Sequence, residues 1–457
     1  MYLEDTIAAI ATPPGEAGLA MIRISGPHAL AVADRSFVPS GKHSTKPSEA
    51  ATHTIHYGRI CRHGQVIDEV LVSVMRAPRT FTREDVAEIT CHGGMLTTKL
   101  VLDTVLENGA RMAEPGEFTK RAFLNGRIDL AQAEAIADLI QSRTELALTA
   151  AHEQLAGKLS QRINQLRDQM LSVLAHVEAQ LDFPEEDIEP DTLSALLAKL
   201  EQGVGFMDEL LRTAKEGQIL RRGVRAAVIG RPNVGKSSLL NHLLGHERAI
   251  VSPFAGTTRD TIEETANIRG LPVVFIDTAG LRESADSIEQ EGIRRSRAAL
   301  ERAELILHVL DGSVPLTDAD RKYLEEFAAK KRIVVVNKAD LPARLEWPAE
   351  TGVKPVSVSC TTGSGLEELK DAIKESIWSG ALTGESLEVM INSRHQDALR
   401  RARVAALITI EALRNQIPLD LVSIDLRDVV NAVGEIVGQT STEDLLDLIF
   451  KQFCLGK

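Results

Sequence analysis

The sequence predicts a multidomain chain: an α+β N-terminal domain, an α-helical bundle domain, and an α/β P-loop domain inserted within the bundle. Three observations carry this reading. Residues 1–120 hold short apolar runs of strand length, separated by Gly and Pro turns, with helical patterns between them. From Gly126 the composition changes: no proline occurs between Pro115 and Pro184, and apolar residues recur at helical spacing. Between Val224 and Trp378 strand and helix patterns alternate, and helical periodicity returns over 390–450. The expected parts are 1–120, a first helical part 121–220, the inserted domain 221–380, and a second helical part 381–457.

The N-terminal strands are read from runs such as Leu19-Ala20-Met21-Ile22-Arg23-Ile24 and Val70-Leu71-Val72-Ser73-Val74-Met75. Met95 to Leu106 reads as a helix, and the polar stretch Pro39 to Thr52 as a surface loop. In the helical part, Leu159, Leu166 and Val173 repeat every seven residues, as do Ile163, Met170 and Val177, offset by four. This is an a/d seam over about three heptads, short enough to favour packing inside a bundle over a free coiled coil. Pro184 and Glu185-Glu186-Asp187 end the run, and 191–222 is again helical in pattern. Linkers are expected near Arg221-Arg222-Gly223 and from Gly380 to Glu385, so the inserted domain can move as a body against its host.

A length of 457 residues suggests two to four domains, and a net charge of −13 excludes a global basic field for nucleic acid. Any RNA partner therefore needs a local basic patch, for which Arg394, Arg400, Arg401 and Arg403 on one helix are the candidates. Cys61, Cys91, Cys360 and Cys454 are far apart and form no zinc or C-x-x-C pattern, which fits a reducing compartment. The acidic start Met-Tyr-Leu-Glu-Asp lacks the basic, apolar pattern of a signal peptide, so none is expected, and no apolar run is long enough for a membrane span. A cytoplasmic location is expected.

The chemistry is densest at Gly230-Arg231-Pro232-Asn233-Val234-Gly235-Lys236-Ser237-Ser238, between the apolar run Ala226–Ile229 and the helical Leu239–Leu244. Strand, G-x-x-x-x-G-K-S loop and helix make a P-loop. Its glycines let successive N–H groups face one anion, and the helix N-terminus adds partial positive charge. Lys236 reaches the β- and γ-phosphates, and the Ser237 hydroxyl can ligate Mg²⁺.

Four further signals follow in order. Gly256-Thr257-Thr258-Arg259-Asp260 offers a threonine for Mg²⁺ in a loop able to order around the γ-phosphate. Asp277-Thr278-Ala279-Gly280 follows the run Val273–Ile276, with its aspartate toward Mg²⁺ through water and the Gly280 N–H toward the γ-phosphate. Asn337-Lys338-Ala339-Asp340 follows Ile333–Val336, and Asp340 can accept from guanine N1 and N2 where adenine presents the opposite pattern. Ser359-Cys360-Thr361 follows Val356–Val358 and supplies backbone to the base. Five elements in this order predict a GTPase domain, similar to the translation-factor-like class of small GTPases.

Leu281 stands where a Ras-like protein has the glutamine that orients the attacking water. An apolar residue cannot do this, so another group must balance transition-state charge, a task worth about 10³–10⁵ when an arginine finger performs it. Arg259 and Arg282 are candidates. Asn233, with carbonyls from the 252–257 loop, could instead cage a monovalent cation such as potassium. Asn233 as a simple turn residue stands equally open.

The chain resembles the MnmE (TrmE) family of tRNA-modification GTPases nearly end to end. The resemblance rests on Asp5-Thr6-Ile7-Ala8-Ala9, Thr12-Pro13-Pro14-Gly15, Arg23-Ile24-Ser25-Gly26, His92-Gly93-Gly94, Pro115-Gly116-Glu117-Phe118 and Phe123-Leu124-Asn125-Gly126. After the GTPase motifs come Asn392-Ser393-Arg394-His395 and Cys454-Leu455-Gly456-Lys457. Singly these are weak signals, but their joint order is specific. A ribosome-assembly or signalling GTPase, acting as a switch alone, would not need the Phe123–Gly126 or Cys454–Lys457 motifs. A folate-sensing structural dimer is a third, weaker reading.

The resemblance implies an N-terminal domain that binds 5-formyl-tetrahydrofolate or a related one-carbon donor and forms a homodimer. It implies a helical domain that carries the terminal cysteine motif, and a GTPase domain whose potassium-dependent dimerisation turns on hydrolysis. It further implies an FAD-containing partner, MnmG (GidA), joined in a heterotetramer. Together the two proteins place a carboxymethylaminomethyl-type group at C5 of the wobble uridine of certain tRNAs.

By motif position, folate contacts fall on Arg23, Glu88, Arg127 and Lys457, and potassium ligands on Asn233, Ser252, Phe254 and Thr257. Magnesium ligands fall on Ser237 and Thr258, and the catalytic role on Glu289 through a water. GTP contacts span Asn233–Ser238, Ser252, Pro253, Phe254, Ala255, Gly256, Thr257, Thr258, Asp277–Gly280, Asn337–Asp340 and Ser359–Thr361 (Val234, Gly235, Thr278, Ala279, Lys338, Ala339 and Cys360 among them). Cys454 is a candidate functional thiol. Its place fourth from the end fits a prenylation box poorly, given Gly456 and Lys457. Arg127 stands where the family usually has Lys, and Leu455 where it usually has Ile.

Overall fold

The computed structural model describes residues 4–41, 45–182, 190–245, 263–276, 301–347, 354–378, 389–451, 453–454 and 456–457. The chain divides into two compact units. The first comprises 1–137, 160–186 and 417–457, and the second 138–159 and 187–416.

The first unit is built on seven strands: β1 (Ile7–Ile10), β2 (Ala17–Ser25), β3 (Phe37–Pro39), β4 (Thr54–Arg62), β5 (Gln65–Met75), β6 (Val86–Gly93) and β7 (Arg111–Met112). Their order is β3-β4-β5-β6-β2-β1-β7, with β7 parallel to β1 and the other pairs antiparallel. The apolar runs read from the sequence lie in β2 and β5. Alternate residues Ile22 and Ile24, Val70, Val72 and Val74, and Ala87, Ile89 and Cys91 face one core, which α1 (Ala29–Ser36) and α2 (Met95–Glu107) cover with Val32, Ala33, Val101 and Val105. After the α3 helix (Glu117–Leu124) the unit becomes helical, with α4 starting at Leu130 (Leu130–Gln141).

The heptad seam lies in α6 (Lys158–Asp182), and all six of its residues, Leu159 through Val177, are buried within the single chain. The seam is therefore bundle packing. Across from α6 stands α13 (Leu419–Val437): Arg427 bonds Glu178 at 2.9 Å, and Gly434 approaches Arg167 closely. The last helix, α14 (Glu443–Phe450), packs Leu446, Ile449 and Phe450 against Leu130 and Ala133.

The second unit holds a six-stranded sheet: β8 (Val224–Ile229), β9 (Glu264–Ile268), β10 (Leu271–Phe275), β11 (Leu305–Asp311), β12 (Arg332–Asn337) and β13 (Val356–Ser357). The order is β13-β12-β11-β8-β10-β9, parallel except for β9. Sheets of this kind are covered on both faces, which explains why β11 is buried at every position. The helices α9 (Lys236–Leu244), α10 (Asp318–Glu326) and α11 (Leu366–Ile377) belong to this α/β layer.

Among the described residues, four other helices share this unit: α5 (Glu145–Leu155), α7 (Pro190–Arg212), α8 (Ala214–Arg222) and α12 (Ser393–Arg414). Ala147, Ala150 and Leu220 from α5 and α8 join the core under the sheet. The Asn392–His395 motif starts α12 as a capping box: the Asn392 side chain accepts from the His395 N–H at 2.8 Å, and the His395 ring accepts from the Asn392 N–H at 3.4 Å.

Candidate functional site

The phosphate loop leaves the C-terminal end of β8 and turns into α9. Gly230 has φ +146°, and a Cβ there would lie 2.3 Å from the Val309 carbonyl of the neighbouring strand. Gly235 has φ +96° and caps α9 in the left-handed region. Asn233 also has positive φ, +64°, a conformation that asparagine tolerates better than most residues. Its turn role is thus visible, and that role is compatible with a second one as a ligand. The Lys236 ammonium donates to the Gly230 and Arg231 carbonyls at 3.0 and 2.8 Å, so it is folded back over its own loop. Burial lowers its pKa below the usual lysine value. Ser237 and Ser238 are exposed on the first turn of α9, where a hydroxyl can reach a cation beside a bound phosphate.

The residues expected to read the base follow the ends of adjacent parallel strands, β12 and β13. Asn337 closes β12, and its side-chain amide donates to the Val234 carbonyl at 2.8 Å while its oxygen accepts from the Cys360 N–H at 3.3 Å. One buried side chain thus ties the 230–238 loop to the loops after β12 and β13. The Ser359 hydroxyl donates to Asp340 at 2.6 Å and orients its carboxylate. The Ala339 N–H donates to the Val358 carbonyl, fixing one loop on the other, and Thr361 is exposed beside them. Lys338, at φ +67°, pairs with Asp311 at 2.6 Å. Asp311 is a residue that sequence reasoning missed. Burial would raise its pKa, but the hydrogen bonds from Lys338 and Ser313 outweigh this and lower it.

Arg231 of the loop bonds Asp320 at 2.8 Å, and Asp320 also completes the capping box of α10 with Thr317. This anchor was also missed, because nothing in the sequence joins positions 89 residues apart. Ser252, Pro253, Phe254, Ala255, Gly256, Thr257, Thr258, Asp277, Thr278, Ala279, Gly280 and Glu289 lie outside the described residues, as do Arg259, Leu281 and Arg282.

A second constellation lies in the first unit. Arg23 on β2 and Glu88 on β6 are register partners, and their side chains pair at 2.8 Å. The Arg23 guanidinium also donates to the Gly456 carbonyl at 3.1 Å and lies 5.7 Å over the Phe118 ring. The terminal residues reach this point because Gly456, at φ +89°, fits against the Ile10 carbonyl with no room for a Cβ. Lys457 is half-buried there. Burial, then the Arg23 charge, lower its pKa, and nearby Glu88 works against both. Cys454 is exposed, and its carbonyl accepts from the Gly116 N–H.

Arg127 is held separately: it donates to the Thr80 carbonyl and covers the Phe81 ring at 5.4 Å. Phe81 packs against the small core that contains Phe118, so each arginine covers one ring of the same apolar cluster. Of the four basic candidates on α12, Arg403 is bonded to Asp208 at 2.5 Å and Arg401 to Asp397 at 3.1 Å, which neutralises much of that stretch.

A family model described as the TrmE N-terminus matches residues 6–127, and one described as the MnmE helical domain matches 130–454. The chain belongs to the MnmE family. Relatives named tRNA modification GTPase MnmE extend over its whole length. That of Geobacter metallireducens is 48% identical over 100% of both chains, and that of Geobacillus kaustophilus 49% identical over 99% of both. That of Enterococcus faecalis is 49% identical over 99% of this chain and 98% of its own. The G domain of the T. maritima FeoB iron transporter is 29% identical over 34% of this chain and 99% of its own, at a TM-score of 0.26, a likeness too loose to bear on the fold. Among the described residues of this MnmE-family chain, no helix is long and apolar enough to cross a membrane.

Proposed function

We infer that the chain is a GTP hydrolase that acts in tRNA modification. The observation that carries this is the Asn337 bridge. It holds a strand–P-loop–helix unit and the N-K-x-D and Ser359 loops in one construction, on a chain similar end to end to tRNA modification GTPases.

GTP binds with its phosphates on 233–238 and its base on Asp340 and the Ser359–Thr361 backbone. Mg²⁺ is held by Ser237 with Thr258, and K⁺ by Asn233 with Ser252, Phe254 and Thr257, where its charge offsets that developing on the γ-phosphate. Glu289 orients the attacking water. The left-handed turn at Asn233 and the exposed hydroxyl of Ser237 support these assignments.

The first unit binds a tetrahydrofolate one-carbon donor. Arg23, with Lys457 beside it, offers positive charge to the donor's glutamate carboxylates, and Glu88 offers an acceptor to its amino groups. Arg127 lies over Phe81, on the same apolar cluster as Phe118. The chain works as a homodimer with an MnmG-type FAD partner in a heterotetramer, in the cytoplasm, and modifies C5 of the wobble uridine. Mass spectrometry of wobble uridines from cells lacking the gene tests this reading, and unchanged uridines would overturn it. GTP turnover should also be faster in K⁺ than in Na⁺ at equal ionic strength, and equal rates would remove the cation cage.

A further inference from the structure

The phosphate loop and Asn337 occupy the C-terminal ends of β8 and β12. At the opposite end of the same sheet, where β8 and β11 begin, lies a cleft of about 680 Å³. One wall comes from α8 and the chain leaving it, with Lys215 and Arg222. The other comes from the strand starts, with Arg225, Arg302 and Lys331. A sixth cation, Arg221, lines the cleft but is bonded to Asp138. Glu304 is the one acid among the described lining residues, and one of its oxygens accepts from the Arg225 backbone N–H. Among the described residues no ion pair engages the five remaining cations, all of them exposed.

Such a concentration of like charge is costly on folding: burial lowers the pKa of Lys331, and the charge of Lys215 adds to it. It also runs against a net charge of −13. A concave wall of one sign focuses field and draws a counter-charged ligand. With cations on both walls, that ligand carries several negative charges along its length. A protein partner would need aromatic or apolar anchors. Here Val224, Leu305 and Ile377 are buried, and Ile219 packs against the core. Nucleic acid needs none, since most of its contacts are to phosphate.

We propose that this cleft holds the phosphodiester backbone of tRNA, away from the nucleotide site. The proposal rests on the tRNA reading above. The position has a mechanical consequence. Gly223, at φ +73°, joins α8 to β8, and a Cβ there would lie 2.8 Å from Val274 and 2.9 Å from the Pro272 carbonyl. RNA that grips Arg222 and Arg225 therefore grips both sides of a closely packed joint between helix and GTPase sheet.

The test measures tRNA affinity of the full-length chain across a KCl series. The Lys215→Gln/Arg222→Gln/Lys331→Gln variant is expected to bind tRNA at least tenfold more weakly at low salt. Its plot of log affinity against log salt is expected to be shallower by about 2, from three lost phosphate contacts at about 0.7 each. GTP turnover without tRNA reports that the variant is folded, and Arg225→Gln/Arg302→Gln on the facing wall should behave alike. Wild-type affinity and slope in both variants would overturn the proposal. So would wild-type tRNA binding with loss of a polyglutamate probe, which would assign the cleft to an acidic protein segment. A wild-type chain with no tRNA affinity at all would remove the tRNA reading together with the cleft.

Discussion

Gly235 and Asn337 are matched: a Cβ added at Gly235 would lie 2.1 Å from the Asn337 side-chain nitrogen that holds the Val234 carbonyl. The glycine is thus required twice, once by its φ of +96° and once by the amide beside it. Gly235→Ala should push Asn337 off its bond and lose guanine-nucleotide affinity by well over tenfold. Asn337→Ala leaves the buried Val234 carbonyl unpaired, at about 1–3 kcal/mol, and should weaken binding by roughly tenfold or more. Calorimetric titration with GDP checks both. Affinity within twofold of wild type in Asn337→Ala would show that the bridge is not what aligns the two loops.

His308 sits at the centre of β11, fully buried, and neither ring nitrogen has a hydrogen-bond partner among the described residues. Burial pushes its pKa down to about 4, with the nearby Asp320 charge working against burial. Because the folded value is below the unfolded one, the unfolded chain takes up the proton first. Stability therefore falls as pH drops from about 6.5 toward 4 and this contribution saturates below, a loss on the order of 3 kcal/mol. His308→Leu removes both the orphaned nitrogens and the titration. It should be neutral or stabilising at pH 7 and should flatten the decline of the melting temperature over that window. An unchanged pH profile would mean that His308 finds a partner in solution.

Arg121 is fully buried in α3 and bonds Asp5 at 2.7 Å, Glu117 at 2.9 Å and Glu84 at 3.1 Å. Arg121→Met takes the buried cation from these three carboxylates while Arg111 stays on Asp5 and Glu117, and the cost should be about 3 kcal/mol. Burial alone would raise the Glu117 pKa, but the bonds from Arg111, the Glu114 N–H and Arg121 bring it below the ordinary value. A carboxylate lowered on folding stabilises above its unfolded pKa and loses that as pH falls through the folded one. Acid should therefore loosen β1, β2 and α3 in the wild type below about pH 4.5, and less steeply in Arg121→Met. Hydrogen exchange over these elements, read against pH, checks both statements.

Arg121 also marks the limit of what the sequence discloses. The α6 seam, the strand runs and the P-loop were legible because a period or a fixed spacing carries them. Every seam position is buried, although the periodicity did not say that α13 would be the partner. A lone arginine in a helix has no period, and its partners come from positions 5, 84 and 117. The same holds for Arg231 with Asp320 and for Arg403 with Asp208, which turned the expected basic helix into a largely paired surface. Two motifs that marked only resemblance acquired physical roles. Asn392–His395 is a helix cap, and Glu117 of Pro115–Phe118 is an anchor for two arginines.

The terminal motif offers the sharpest separation of the two sites. Gly456 has φ +89°, and a Cβ there would meet the Ile10 carbonyl at 2.4 Å. Its own carbonyl receives the Arg23 guanidinium. Gly456→Ala should unseat the tail and free Arg23 on one side, while Glu88 continues to hold it on the other. Lys457 would then leave its half-buried position, and the cationic end of the proposed folate site would lose one of its two charges. Binding of 5-formyl-tetrahydrofolate should weaken by about tenfold, the scale of one charge-assisted contact at 1.5–3 kcal/mol. GTP turnover should stay at the wild-type level, since none of these residues touches the phosphate loop. If folate affinity holds while limited proteolysis shows the tail released, Lys457 takes no part in binding and the site narrows to Arg23, Glu88 and Arg127.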